Sequence, residues 1–419
     1  PRLDASVRFA RWGVGGLMAD DAVADAPRWS VACKAFDDDL RSVGTAIRAV
    51  ACAESHIVTS SSRPVVKVWQ AAQDRIVQTH RLSIVESHGA VGSNCVDVSG
   101  EGDGLLTAVC YDDGGIGLWD LRSGQRTMEL EADILAALKV KFLPGGRRLV
   151  SGGPSGSLFF WDLRAGGRLE REVAARSSEG LKRVSETPQR AVRRRRGESK
   201  AEHDAGYRGA QDFVASARPA SPVYSLAVSP DGSLLGCGRW SGAVSVMRLQ
   251  THDWASDVNA HTSAADRASA AVRALSFDAD SRLVLSGGDD RHVCLFDAAA
   301  WSKRRSGEAR RCAQLERFSA HRGWVTSLSA CPDPSRRVSV TTSWDGSVKL
   351  WDYCTHTLLH TYTEHTDGVF GSAFAPRDGR FFVTVGADAQ IVMCAAQHTP
   401  SRERPRATGG MTEANPGAA

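Results

Sequence analysis

IGLWDLRSG, residues Ile116–Gly124, is a short apolar run that ends on an aromatic residue and passes into a polar, glycine-punctuated turn. The same event recurs as LFFWDLRAG (Leu158–Gly166), VCLFDAAA (Val293–Ala300) and VKLWDYCT (Val348–Thr355). VVKVWQ (Val65–Gln70) is a slightly divergent copy, and AVSVMRL (Ala243–Leu249) and QIVMCAA (Gln390–Ala396) are weaker ones. The markers are therefore Trp69, Trp119, Trp161, Met247, Phe296, Trp351 and Cys394. Their spacing matches the roughly 40 to 45 residues of a repeat built from four short strands.

Working upstream from each marker, an alternating strand leads through a turn often rich in Pro, Asp and Gly into a second strand that ends among Ser and Gly. SLAVSPDGSLLGCG (Ser225–Gly238) and ALSFDADSRLVLSGG (Ala274–Gly288) are the clearest cases. Period-2 alternation argues strands, and the turn residues supply the tight reversals of an antiparallel meander. A four-stranded unit cannot bury both its faces alone, so seven such units must stack around a ring. The fold expected is all-β, a seven-bladed β-propeller over residues 26–396. The last unit stops at its third strand, so an N-terminal strand is expected to complete it and close the ring, removing exposed edges. ASVRFARW (Ala5–Trp12), within residues 1–25, is the segment read for that role.

Several units also place a His before the first strand and an Asp in the turn before the marker: His88 with Asp113, His261 with Asp290, His321 with Asp345, and His365 with Asp388. In this the chain resembles WD-repeat proteins, in which such a His and Asp join a strand hydroxyl and the marker Trp (here Trp119 and Trp351) in a hydrogen-bonded structural tetrad. Groups that recur blade after blade satisfy buried polar atoms and do not mark a catalytic triad. No nucleophile elbow, Gly-rich phosphate loop or H-E-x-x-H motif is present, so no enzyme, no catalytic residues and no cofactor are expected.

Composition agrees. With 42% hydrophobic and 24% charged residues in 419, the chain is of ordinary soluble globular make-up. No run is long and apolar enough for a membrane span, and the first thirty residues lack a basic start followed by a long apolar stretch. The ten cysteines are scattered without C-x-x-C pairs, so they read as reduced and mostly buried, with no metal site. Trp161 to Met247 is about twice the repeat period. The surplus, residues 174–221, is rich in Arg, Glu, Ser and Gln and contains RRRR at Arg193–Arg196. It reads as a basic disordered insertion, and residues 397–419 as a disordered tail. A solvated loop is the plain reading, and a nuclear-import signal or an electrostatic handle on RNA the sharper ones, although the interleaved aromatics of a single-strand stacking platform are lacking.

By the same WD-repeat resemblance, three positions per blade face the narrow end of the ring. Aligned by eye, the first-strand column reads Trp29, Asn94, Leu138, Tyr224, Arg273, Thr326 and Phe370. The column before the turn Asp reads Ser62, Asp112, Pro154, Trp240, Asp289, Trp344 and Ala387, and Trp324 lies two before Thr326. Trp29, Tyr224, Trp240, Trp324, Trp344 and Phe370 thus form a candidate partner-binding rim, focused on blades six, seven and one, since clustered exposed aromatics mark interfaces.

The run from His321 to Ile391 resembles the last two repeats of the WD-repeat subunit of the superkiller complex, with support from PRWSVA, VVKVW, VYSLAVSPDGSLL and VRALSFDADSRLVLSGGDD. That resemblance implies a scaffold that docks a tetratricopeptide-repeat protein and an RNA helicase in exosome-dependent 3′–5′ mRNA decay. It also implies a role in the RNA polymerase II-associated factor complex in transcription elongation, and hence both cytoplasm and nucleus. A competing reading comes from WDLR at Trp119–Arg122 and Trp161–Arg164, which resembles the motif of cullin-RING ligase substrate receptors and would give Arg122 and Arg164 to the ligase adaptor.

Overall fold

The computed structural model describes residues 28–42, 44–63, 65–71, 75–83, 91–99, 105–131, 136–174, 221–262, 270–302 and 314–397. By packing, these fall into Val31–Cys394 and a unit drawn from both termini, of which residues 28–30 and 395–397 are described. In the latter, the Gln397 side-chain amide donates to the Ser30 hydroxyl at 2.8 Å.

The chain enters through β1 (Arg28–Phe36) and a one-turn helix α1 (Asp38–Arg41). Blade one is β2 (Ile47–Ala53), β3 (His56–Ser61), β4 (Val65–Ala71) and β5 (Ile76–Ser83). Blade two is β6 (Ser93–Ser99), β7 (Leu106–Tyr111), β8 (Gly115–Asp120) and β9 (Arg126–Glu131). Blade three is β10 (Lys139–Phe142), β11 (Arg148–Gly152), β12 (Leu158–Asp162) and β13 (Arg168–Val173). Blade four is β14 (Val223–Val228), β15 (Leu234–Arg239), β16 (Ala243–Arg248) and β17 (Asp253–Asn259). Blade five is β18 (Val272–Phe277), β19 (Leu283–Gly288), β20 (His292–Asp297) and, after the one-turn helix α2 (Ala299–Ser302), β21 (Gln314–Ser319). Blade six is β22 (Val325–Ala330), β23 (Val338–Ser343), β24 (Val348–Asp352) and β25 (Thr357–Tyr362). Blade seven is β26 (Val369–Phe374), β27 (Phe381–Gly386), β28 (Gln390–Gln397) and β1.

Each blade is an antiparallel meander, and the first strand of each packs on the first strand of the next until β26 meets β2. This is the expected seven-bladed β-propeller, and its last blade is completed by an N-terminal strand. The strand is β1, however, and Ala5–Trp12 lies outside the described residues. RWSVACKAF alternates as well as ASVRFARW does, and only α1 and a short turn separate it from blade one. Blade one accordingly begins at Ile47. Residues 175–220 of the basic insertion and 398–419 of the tail also lie outside the described residues.

The core lies between blades. Phe160, Val150 and Leu143 of blade three pack with Leu226, Leu235 and Met247 of blade four. Phe296, Val284 and Phe277 of blade five meet Val244 and Val246 of blade four. Each such side chain removed from water contributes roughly 1.5–3 kcal/mol before chain entropy is counted. The Gly residues near the ends of the second strands of blades three, four and five have a steric cause. A Cβ on Gly152, Gly238 or Gly287 would stand 3.0, 2.7 or 2.5 Å from Val223, Val272 or Val325 on the next blade's first strand.

Ring closure has its own latch. Asp37, almost wholly buried, caps α1 by accepting from Leu40 N–H at 3.2 Å and takes the buried Lys67 ammonium of β4 at 2.6 Å. Its own N–H donates to Ala389 O at 3.0 Å, so blade one, α1 and blade seven meet at one residue. Lys67 also pairs with Asp39 at 2.8 Å, so removing Lys67 would strip the buried Asp37 of its ion-pair partner while removing Asp37 would leave the ammonium on Asp39 alone.

Candidate functional site

The frame beneath the rim is a set of buried hydrogen-bonded networks. In blade six the Trp351 indole N–H donates to Thr341 Oγ1 at 2.9 Å, and Thr341 lies 2.8 Å from His321 Nε2. Because the Ser347 hydroxyl spends its proton on Asp345, its oxygen accepts from His321 Nδ1–H at 2.9 Å, which leaves Nε2 to accept from the Thr341 hydroxyl. Ser347 in turn donates to Asp345 Oδ1 at 2.5 Å. Asp345 itself stands 3.6 Å from His321, so the expected direct His–Asp bond is relayed through a serine. Burial pushes the His321 pKa down to about 4. Burial alone would raise Asp345, yet bonds from the Ser347 hydroxyl and from the Ser347 and Arg322 N–H groups hold its carboxyl well below the usual range.

His261 reaches Asp290 at 2.8 Å and Ser286 at 2.7 Å, and His365 reaches Asp388 at 3.1 Å and Thr384 at 2.9 Å. Neither network has an indole, since the markers there are Phe296 and Cys394. Trp119 departs from the expected pattern because its indole donates to Tyr111 OH at 3.3 Å and not to a Ser or Thr. His88 lies outside the described residues, and Asp113 accepts from Gly115 N–H at 3.0 Å. In blade four a buried Arg239 binds Ser245 Oγ at 2.9 Å and the carbonyls of Gly156 and Ser221 at 3.3 and 3.0 Å.

The rim is built by a repeated irregularity. In six blades the first strand skips one residue in its register with the second, and the skipped residues are Arg48, Asn94, Tyr224, Arg273, Thr326 and Phe370. Such bulges re-aim a side chain out of the pleat. In the same six blades the first residue of the turn after the second strand (Ser62, Asp112, Trp240, Asp289, Trp344 or Ala387) donates its N–H to the carbonyl two positions before the skipped residue. Trp240 N to Pro222 O at 3.0 Å, Asp289 N to Ala271 O at 3.0 Å and Trp344 N to Trp324 O at 3.1 Å are the cases that matter here. The three sequence columns are thereby laid side by side.

On blades four to seven these positions form a continuous row. The Trp240 and Tyr224 rings lie 5.3 Å apart, Trp324 and Trp344 5.8 Å, and Trp344 and Phe370 5.2 Å. Arg273 joins the two groups, its guanidinium 5.6 Å from the Tyr224 ring and 4.9 Å from that of Trp324. A bidentate pairing with Asp289 holds it there, Nε on Oδ1 and Nη2 on Oδ2 at 3.1 Å. Trp240, Trp324 and Trp344 are 50%, 43% and 55% exposed, so the row is surface and not core. A shallow cleft of about 290 Å³ opens beside Trp344, walled by Asp345, Ser347, Thr363, His365 and Asp367.

Five of the six expected rim aromatics are thus brought together; the sixth is Trp29. It lies in β1, the outermost strand of its sheet, and Arg48 takes the blade-one position. The focus therefore shifts from blades six, seven and one to blades four through seven. Arg273 and Asp289 stood in the sequence columns, but nothing in the sequence marked them as the bridge. On blades one and two the same positions carry Arg48, which reaches Asn94 at 3.1 Å and Asp112 at 3.2 Å. Arg122 and Arg164 are exposed, and their backbone N–H groups donate to Asp120 at 2.8 Å and Asp162 at 2.9 Å. The repeated WDLR is explained locally by these Asp-centred turns. Among the described residues no helix is long and apolar enough to cross a membrane.

Comparison with known proteins agrees with this geometry. The family described as WD domain, G-beta repeat matches residues 256–297 and 312–352, which hold most of blade five and the first three strands of blade six. The chain is 26% identical over 361 residues to the ribosome biogenesis protein WDR12 homolog of Chlamydomonas reinhardtii, covering 82% of this chain and 72% of that protein. It is 28% identical over 184 residues to protein hir1 of Emericella nidulans and 25% over 186 to protein HIR1 of Kluyveromyces lactis. Those matches span 42% and 41% of this chain but only 18% and 21% of the two relatives.

Proposed function

We propose that this WD-repeat propeller is a non-catalytic scaffold that holds a peptide segment of a partner protein on the row from Trp240 to Phe370. One observation carries the reading. Three indoles, each about half exposed, stand in register with Tyr224, Phe370 and an Arg273 already neutralised by Asp289. Rigid aromatics in this setting offer large area at small entropy loss, and such residues dominate interface energetics.

The finer identity rests on the stretch from His321 to Ile391, which supports a place in the superkiller complex beside a tetratricopeptide-repeat scaffold and an RNA helicase, with a second role in the RNA polymerase II-associated factor complex. The names of the curated relatives, for ribosome biogenesis and for Hir1, point to other assemblies. Affinity purification of the tagged chain from cells separates these. Trp344→Ala with Phe370→Ala, shown to fold by circular dichroism, is expected to lose the partner that wild type captures, by roughly 100-fold in affinity. Recovery of the tetratricopeptide protein and helicase supports the superkiller reading, and recovery of ribosome-assembly or Hir1-type partners replaces it. A ligase adaptor lost with Arg122→Ala plus Arg164→Ala would transfer the function to the WDLR turns. A partner list unchanged in the double aromatic variant removes the row as the docking surface.

A further inference from the structure

A second surface lies at the end of the ring opposite the rim, where the first strand of each blade turns into the second and the third into the fourth. The third-to-fourth turns of blades two and three are near copies, DLRSGQR (Asp120–Arg126) and DLRAGGR (Asp162–Arg168), and Arg122, Arg126, Arg164 and Arg168 are all exposed. The first-to-second turn of blade three, LPGGRR (Leu143–Arg148), adds the exposed Arg147 and Arg148. The backbone gathers these turns. Leu163 N–H donates to Arg147 O at 3.0 Å, and Arg148 and Arg168 flank Asp162 in the strand register. Gly167 lies so close to β9 that a Cβ there would stand 2.3 Å from Leu130 and 2.5 Å from Met128.

The charges of this group are unanswered. The described first-to-second turns of the other blades each contain an acid, Glu54 in blade one and Asp231, Asp278, Asp333 and Asp378 in blades four to seven. In blades six and seven that acid pairs with an arginine of the same turn, Asp333 with Arg336 at 3.4 Å and Asp378 with Arg380 at 3.7 Å. LPGGRR has no acid. Arg126 meets Glu129 at 3.0 Å, but among the described residues Arg122, Arg147, Arg148, Arg164 and Arg168 enter no ion pair. The carboxylates beside them are already engaged, since Asp120 Oδ1 accepts from the Arg122 and Ser123 N–H groups and Asp162 Oδ1 from that of Arg164.

We propose that this end of blades two and three binds the phosphate backbone of a single-stranded nucleic acid. Guanidinium forks match phosphate oxygens in bidentate geometry, and neutralising phosphates supplies affinity without apolar contact. A protein partner needs an apolar anchor, and the described residues of these turns offer none. Leu121 is buried, Leu163 is partly buried, and the exposed Leu169 alternates with Arg168 onto the other face of β13. The three turns contain no aromatic side chain on which a base could stack, so contact is with the backbone and tolerates any sequence. Spread over two blades, the arginines suit a strand that bends to each of them better than a straight duplex.

Fluorescence anisotropy of a labelled oligouridine about 15 nucleotides long, titrated with the full chain between about 50 and 200 mM salt, tests this. Wild type is expected to bind with Kd of about 1–10 µM at the lower salt and to weaken with a log–log slope of about −3, the value for about four phosphate contacts. Arg147→Gln, Arg148→Gln, Arg164→Gln and Arg168→Gln combined are expected to weaken binding by about 30-fold with unchanged circular dichroism. Arg193→Gln through Arg196→Gln removes the same charge from the basic insertion and is expected to weaken it by less than about threefold. Trp344→Ala with Phe370→Ala is expected to bind as wild type does, which separates this surface from the rim. No binding by wild type at the lower salt, or a loss from the insertion variant equal to or larger than that from the turn variant, overturns the proposal. Tighter binding of a polyglutamate peptide of the same length than of the oligouridine also overturns it, by making the surface a seat for acidic protein.

Discussion

Blade six and blade two share strand order, first-strand bulge and the N–H bond that binds turn to strand, yet they present opposite surfaces on different internal frames. Blade six joins its indole through Thr341, His321 and Ser347 to Asp345 and displays Trp324 and Trp344. Blade two ties its indole to Tyr111 and displays Asn94 and Asp112, which Arg48 engages. One backbone device therefore serves both a sticky and a polar sector. What distinguishes them is which side chain the bulge carries and how firmly the turn beneath it is held.

The largest expected effect separates the frames. Thr341→Val removes the group that receives the Trp351 N–H and supplies Nε2 of His321, leaving two buried polar atoms unpaired. Stability should fall by about 3 kcal/mol in urea denaturation, while Tyr111→Phe, which removes the acceptor of the long Trp119 N–H bond, should cost about 1 kcal/mol. Equal losses would mean that the two frames are equivalent and that the comparison is one of surface alone.

Acid sharpens the same contrast. The folded His321 pKa of about 4 lies below the ordinary imidazole value near 6.5. Between those limits the unfolded chain binds a proton that the folded chain refuses. The stabilisation from neutral His321 is thus whole above about pH 6.5 and shrinks as pH falls toward 4, by on the order of 2 kcal/mol for this buried ring. Wild type should lose that much more stability than His321→Gln between pH 7 and 4.5. Parallel pH profiles would show that His321 is not the titrating group.

The seven blades were legible because a strand period of two and a marker at fixed spacing leave few other ways to bury the apolar faces. Most of the rim was legible for the same reason, since the repeat fixes which residue follows each turn. The closing strand was not, because PRWSVACKAF looks as much like a first strand as IRAVACA (Ile47–Ala53) does, and pairing partners decide between them. Trp29 was misplaced with it. Nor could the Ser347 relay be seen, because Ser347 lies two residues beyond the Asp345 expected to meet His321 directly.

Arg273 is the residue on which the rim comparison turns most finely, because Arg48 stands at the same bulge four blades earlier with a carboxylate partner of its own. Charge is common to both, and only Arg273 is flanked by rings, Tyr224 from the blade before and Trp324 from the blade after. If the row binds as one surface, the stacked guanidinium keeps its two aromatic groups in a single plane. Arg273→Ala should then weaken partner capture by about 10-fold, while Arg273→Lys keeps the charge but loses the planar stack and should fall between the two. Arg48→Ala should change capture by less than about twofold, in keeping with an exposed ion pair. Titration of captured partner against each variant reads these directly. Equal losses at Arg273 and Arg48 would make the rim a ring of charges with aromatics beside it, and no loss at Arg273 would divide the row into two independent patches, Trp240 with Tyr224 and Trp324 with Trp344 and Phe370.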